Sequence, residues 1–150
     1  MELIYIKNKL YHKCIEKQKD IVDSAFIAME EAQKAANEYG PPKDRYDSFR
    51  TQLLRKRDLY AEQYEKALKE LDYIQKLNPE KKNNLITVNT LVITDKQKLY
   101  ISIGLGKVEI DEGLYYAISP MAPIFQVLRN KTTGDIIVFN GQKITIVDIA

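Results

Sequence analysis

The chain has 150 residues, room for one large domain or two small ones, and 45% of them are apolar while 29% are charged. A formal net charge of +2 gives no global argument for a nucleic-acid or membrane-surface partner, and the single cysteine and single histidine exclude a disulfide framework and a multi-Cys or multi-His metal site. Apolar runs fall far short of the roughly 20 residues that span a bilayer, and Met1-Glu2-Leu3-Ile4 lacks a basic segment followed by an apolar signal core, so the expectation is a cytoplasmic chain with no membrane partner.

From about Asn8 to Glu38 there is no Pro or Gly, and Ala, Glu, Lys and Gln dominate, which predicts a long helix. Ile15, Val22, Met29 and Ala36 recur every seven residues, interleaved with Tyr11, Gln18, Ala25, Ala32 and Tyr39. That 4-3 alternation lays both sets along one seam, as a coiled coil requires, with Gln18 as the polar exception. Gly40-Pro41-Pro42 stops this helix, because Gly takes a left-handed cap and Pro cannot continue the ladder. A second helix is predicted from about Asp44 to Leu77, with Leu53, Tyr60, Ala67 and Ile74 in one seven-residue series and Phe49, Tyr64, Leu71 and Leu77 beside it. Asn78-Pro79 ends it. Two helices joined by so short a turn run antiparallel, each roughly 45–50 Å long at about 1.5 Å per residue. Residues 1–79 are therefore read as an antiparallel two-helix coiled-coil hairpin.

After the polar stretch Lys81-Lys82-Asn83-Asn84 the pattern changes to short β-prone runs. They comprise Leu85, Ile86, Val88 and Leu91 to Ile93, then Leu99 to Ile103, Val108 to Ile110 and Leu114 to Ile118, separated by turn signals. A short helix is predicted from about Pro123 to Asn130, with Pro suited to its first turn. Ile136 to Phe139 and Lys143 to Val147, joined by Asn140-Gly141, read as a closing hairpin. Residues 80–150 thus form a small β-rich domain, and the fold class is α+β.

A long α-hairpin followed by a small β-rich domain resembles the GreA/GreB transcript cleavage factors. The more specific likeness lies in Ala117-Ile118-Ser119-Pro120-Met121-Ala122-Pro123-Ile124, which is similar to that family's strand-to-helix element. Leu128, Lys131 and Gly134-Asp135 continue the pattern, and Ala122 stands where the family has Ser. The resemblance implies that 80–150 is FKBP-like and docks on the rim of RNA polymerase beside its secondary channel; Ser119, Pro120, Pro123 and Ile124 read as its docking residues or as a turn and helix start that simply packs the domain. It also implies that acidic residues at the hairpin tip help hold Mg²⁺ shared with the polymerase active site, where backtracked nascent RNA is cleaved. The chain would then be no enzyme on its own, would bind no metal stably alone, and would act as a monomer. The family's tip pattern, Asp, two residues, then Glu, falls on Asp44-Arg45-Tyr46-Asp47, with Asp in the last place.

Two carboxylates three residues apart on a helical turn face the same way, and Mg²⁺ commonly takes one or two protein carboxylates with water and phosphate oxygens filling the rest. The same pair reads equally as an N-cap, Asp44, with Asp47 approximating a capping box. Arg45, Arg50, Arg55, Lys56 and Arg57 concentrate positive charge just past the tip. They are either a solvated helix face or, as a basic patch is in the family, contacts to nascent RNA phosphates or to the acidic channel wall. Tyr46 and Phe49 read as hairpin packing ahead of RNA stacking, and His12 and Cys14 as structural or incidental. Alternatives are a non-cleaving regulator or inhibitor in the same channel, a peptidyl-prolyl isomerase, which fold alone does not establish, and a coiled-coil adaptor without polymerase.

Overall fold

A computed structural model describes residues 2–150. In chain order the elements are α1 (Glu2–Tyr39), α2 (Ser48–Gln75), β1 (Leu91–Thr94), β2 (Lys98–Ile101), β3 (Gly106–Ile110), β4 (Gly113–Ile118), α3 (Pro123–Leu128), β5 (Ile136–Phe139) and β6 (Gln142–Ile149). The architecture is α+β, a long helical hairpin followed by a six-stranded mixed sheet. Two compact units share it. One is Gln18–Tyr73; the other joins the chain up to Lys17 with Ile74–Ala150.

Within Gln18–Tyr73 the two helical segments are antiparallel, because contacts from successive positions along α1 fall at receding positions along α2. Gln18 Nε2 donates to the Ala67 carbonyl at 3.0 Å, Phe26 meets Tyr64 with ring centroids 5.4 Å apart, and Tyr39 meets Phe49 at 5.2 Å. The heptad positions do bury: Gln18, Val22, Ala32 and Ala67 are inside, and Ala25, Met29, Leu53, Tyr60 and Tyr64 are half-buried. Phe49 departs from that expectation, leaning on Tyr39 while staying 57% exposed. Gln18 is buried with its Oε1 lacking a partner among the described residues, so the seam keeps one polar atom at a cost to stability.

In the other unit the strands run in the order β3-β4-β2-β1-β6-β5, with β2 and β4 parallel and all other pairs antiparallel. Both faces of the central strands are covered, which explains their near-continuous apolar runs. Val92, Leu99 and Ile101 face a core completed by Phe125 and Leu128 of α3 and by Ile144 and Ile146 of β6. On the alternate positions Leu91, Tyr100, Tyr115 and Ala117 are buried too. The first turns of α1 tie into this unit: Lys7 Nζ donates to the backbone oxygens of Lys81 and Ala150, Lys9 pairs with Asp111 at 2.9 Å, and Lys17 Nζ donates to the Lys107 carbonyl.

Several boundaries differ from the sequence expectation; among them α2 ends at Gln75 rather than Leu77 and α3 at Leu128 rather than Asn130. α1 begins at Glu2 rather than near Asn8: Ile4 stands seven residues before Tyr11 and continues its series, but the unbroken apolar run Leu3 to Ile6 masks that step. α2 begins at Ser48 rather than Asp44. Residues 85–90 form no strand: Asn89 takes the left-handed conformation, φ 66°, and a polar network replaces ladder bonds. In it Tyr100 Oη donates to Asn89 Oδ1 at 2.9 Å, Asn83 Nδ2 to the Asn89 carbonyl at 2.8 Å, and Asn89 Nδ2 to the Asn78 carbonyl. The expected closing hairpin is present, with Asn140 and Gly141 both at positive φ, as a type I′ turn needs.

Candidate functional site

The turn between the helices is built from its caps inward. Gly40, φ 81°, closes α1 by donating its N–H to the Ala36 carbonyl. Asp47 is the N-cap of α2: its carbonyl accepts the Thr51 N–H, and its Oδ1 accepts the Arg50 N–H at 3.1 Å. Its Oδ2 takes two further donors, the Tyr39 hydroxyl at 2.7 Å and the Lys43 N–H at 2.8 Å. These hydrogen bonds, the Lys43 amide first and the Tyr39 hydroxyl next, hold the Asp47 carboxyl below the usual carboxylate range. Arg50 Nε braces the same turn by donating to the Gly40 carbonyl at 3.0 Å.

Asp44 is not the cap the spacing predicted. It lies outside the helix, in the turn, where its Oδ1 accepts the Tyr46 N–H at 2.8 Å. Such a local side-chain bond to the backbone offers an alternative to helical geometry, and it displaces the helix start by one turn. The premise that both carboxylates share a helical face is therefore corrected. Both still sit in one short turn, but with different freedom. An ionised carboxylate has about four lone-pair sites; on that count Asp47 has committed three and Asp44 one. A divalent cation would find its donors chiefly on Asp44. Among the described residues no group of three or more His, Cys, Asp or Glu is placed to hold a metal ion.

The four arginines separate by role. Arg50 is half-buried and engaged with Gly40, and Arg57 pairs with Asp58 at 3.0 Å. Arg45 lies 5.5 Å from the Tyr46 ring centroid, and Arg55 is exposed. Arg57 stands seven residues beyond Arg50 on α2, roughly 10 Å along the helix axis. Tyr46, expected to pack in the hairpin ahead of stacking on RNA, is 81% exposed. Its sequence signal was weak, since one aromatic between Arg and Asp belongs to no periodic stripe.

In the sheet-bearing unit, Ser119 Oγ accepts the Met121 N–H at 3.0 Å, and the Ser119 carbonyl accepts the Ala122 N–H at 2.9 Å. This turn feeds α3, with Pro123 in its first turn and Ala122 as an N-cap that supplies no side-chain bond. Of the four residues named for docking, Ser119 and Pro120 are half-buried and Pro123 is exposed, whereas Ile124 is 9% exposed and belongs to the core. The side chain missed there is Met121, 86% exposed between Pro120 and Ala122. Cys14 is buried, and burial pushes its thiol up to about 12, which leaves it without thiolate reactivity near neutral pH. No helix is long and apolar enough to cross a membrane among the described residues.

No protein-family model matches this sequence. No curated protein matches it either. The solved structure of the transcription factor Gfh1 is similar to 90% of this chain and 92% of its own, at 16% identity and a TM-score of 0.36.

Proposed function

We propose that this protein is an accessory factor of RNA polymerase. In this reading the segment around Ser119, Pro120, Met121 and Pro123 docks on the enzyme, the hairpin occupies the secondary channel, and Asp44 and Asp47 assist Mg²⁺-dependent cleavage of backtracked nascent RNA. The observation that carries it is one turn, closing a long antiparallel helical pair, that holds two carboxylates and Arg45 together, in a chain whose 117–124 segment resembles the GreA/GreB factors. A site offering part of a metal shell is chemically useful only where another active site completes it, and Mg²⁺ so held would lend charge stabilisation to hydrolysis there. Asp44 is the principal donor in this arrangement, and Asp47 fixes the turn that aims it.

A second reading is favoured by one observation: Asp47 has given most of its lone pairs to Tyr39, Lys43 and Arg50. A tip so arranged suits a regulator that fills the channel without promoting cleavage. Pull-down of core polymerase by the chain tests both readings. Cleavage assays on a stalled elongation complex then separate them.

A further inference from the structure

The Tyr46 ring is four-fifths exposed, and an aromatic side chain offers a large apolar face that a partner can cover. Tyr46 touches little of its own chain. Its ring lies by the Arg45 guanidinium, 5.5 Å from the centroid, whereas Phe49, three residues on, packs on Tyr39. Its backbone is nevertheless held. The Tyr46 N–H is fixed by Asp44, the turn is crossed by the Tyr39–Asp47 and Lys43–Asp47 bonds, and Arg50 reaches back to Gly40. Holding the ring's backbone in the free protein lowers the ordering cost of binding.

The surroundings say which surface would cover it. The sixteen residues from Lys43 to Asp58 hold six cations and three carboxylates; Asp58 pairs with Arg57, and three of the four oxygens of Asp44 and Asp47 already accept hydrogen bonds from the end of α1, the turn and the first turn of α2. An aromatic face among cations is the combination that takes a single-stranded polyanion: bases stack on the ring while Lys and Arg meet the phosphates. We propose that Tyr46 is a base-stacking residue for unpaired RNA, flanked by Lys43 and Arg45 as phosphate contacts. The inference deepens the polymerase reading and rests on it for where the RNA is met.

The test is fluorescence anisotropy of the full chain with a labelled oligoadenylate and an abasic strand of equal length, at low salt, for the wild type and for Tyr46→Ala, Tyr46→Phe and Tyr46→Trp. Stacking of one base is worth ~1–3 kcal/mol by alanine substitution, so Tyr46→Ala weakens oligoadenylate binding by about tenfold. Tyr46→Phe and Tyr46→Trp stay near wild type, and the abasic strand binds all four proteins alike. The variants keep the wild-type melting temperature, since the ring is exposed. The proposal is overturned if the wild type does not bind oligoadenylate, if Tyr46→Ala binds as wild type, if Tyr46→Phe is as weak as Tyr46→Ala, or if the abasic strand loses as much as the intact one. A parallel pull-down with core polymerase keeps the two ideas apart. Failure of the chain to bind polymerase removes the functional reading while the anisotropy still decides stacking. A Tyr46→Ala protein that loses polymerase but keeps RNA assigns the ring to a protein contact and overturns stacking alone.

Discussion

The hydroxyl of Tyr39, the last residue of α1, donates to Oδ2 of Asp47, the residue that caps α2, at 2.7 Å. This bond spans the turn and couples two titrations. Asp47 is held below the usual carboxylate range, first by the Lys43 amide and then by Tyr39, while the bond to Asp47 pushes the Tyr39 phenol above its ordinary value. The signs follow from linkage. Asp47, lower in the folded state, contributes stability that is present above its unfolded value and lost as pH falls through the folded one. Tyr39, higher in the folded state, contributes stability that is present below its unfolded value and lost as pH rises through the folded one. Tyr39→Phe removes one donor, so the Asp47 carboxyl should titrate closer to an ordinary aspartate when followed by carboxyl-carbon NMR. An unchanged Asp47 titration would show that the hydroxyl contributes nothing.

Lys7 is fully buried, and burial, with Lys81 beside it, pulls its ammonium from 10.5 down to about 8. Between those values the unfolded chain binds more protons than the folded one, so stability rises as pH climbs from about 8 to 10.5. The full span corresponds to about 3 kcal/mol. Replacing Lys7 with Met should flatten that rise in urea melts across the window, while giving up the two hydrogen bonds Lys7 donates to Lys81 and Ala150. Equal pH slopes for Lys7→Met and wild type would contradict the assignment.

Ala122 caps α3 without a side-chain hydrogen bond, although Pro123 already suits the first turn. A Ser at this position can accept from a first-turn amide, which is worth about 1 kcal/mol. Ala122→Ser is therefore expected to stabilise the protein by roughly that amount in chemical denaturation. Unchanged or lower stability would mean that the cap geometry does not admit the hydroxyl.

Met121 and Ile124 offer a contrast within one short segment, since the first is exposed and the second is core. Met121→Asp is expected to leave the melting temperature unchanged and to weaken capture of core polymerase in a pull-down. Ile124→Ala removes buried methyl groups and should cost about 2–5 kcal/mol of stability. Full polymerase capture by a folded Met121→Asp protein would remove this turn from the docking surface.

The hairpin was legible because a heptad repeat is a statement about one face of a helix, and Val22, Ala32, Ala67 and Ile74 are buried where that repeat put them. The closing β-hairpin was legible for a similar reason, since Asn140-Gly141 demands positive φ at both positions. The start of α1 was hidden because Leu3, Ile4, Tyr5 and Ile6 are all apolar, which masks the seven-residue step from Ile4 to Tyr11. The loop at 85–90 was hidden because its apolar residues look β-prone while Asn89 and its buried partners dictate the backbone. At the tip, the three-residue spacing could not show which of Asp44 and Asp47 caps the helix. That choice depends on Tyr39, eight residues upstream of Asp47, and on the amides of Lys43 and Arg50.

RNA cleavage in a stalled, backtracked elongation complex tests the central claim most directly. The account predicts that the wild-type chain binds core polymerase and accelerates Mg²⁺-dependent release of short 3′ RNA fragments. It further predicts that Asp44→Asn abolishes this acceleration while still binding, with no loss of folded stability. Binding without any cleavage by the wild type would select the non-cleaving reading. Absence of polymerase binding, or full cleavage by Asp44→Asn, would contradict the role given to the tip.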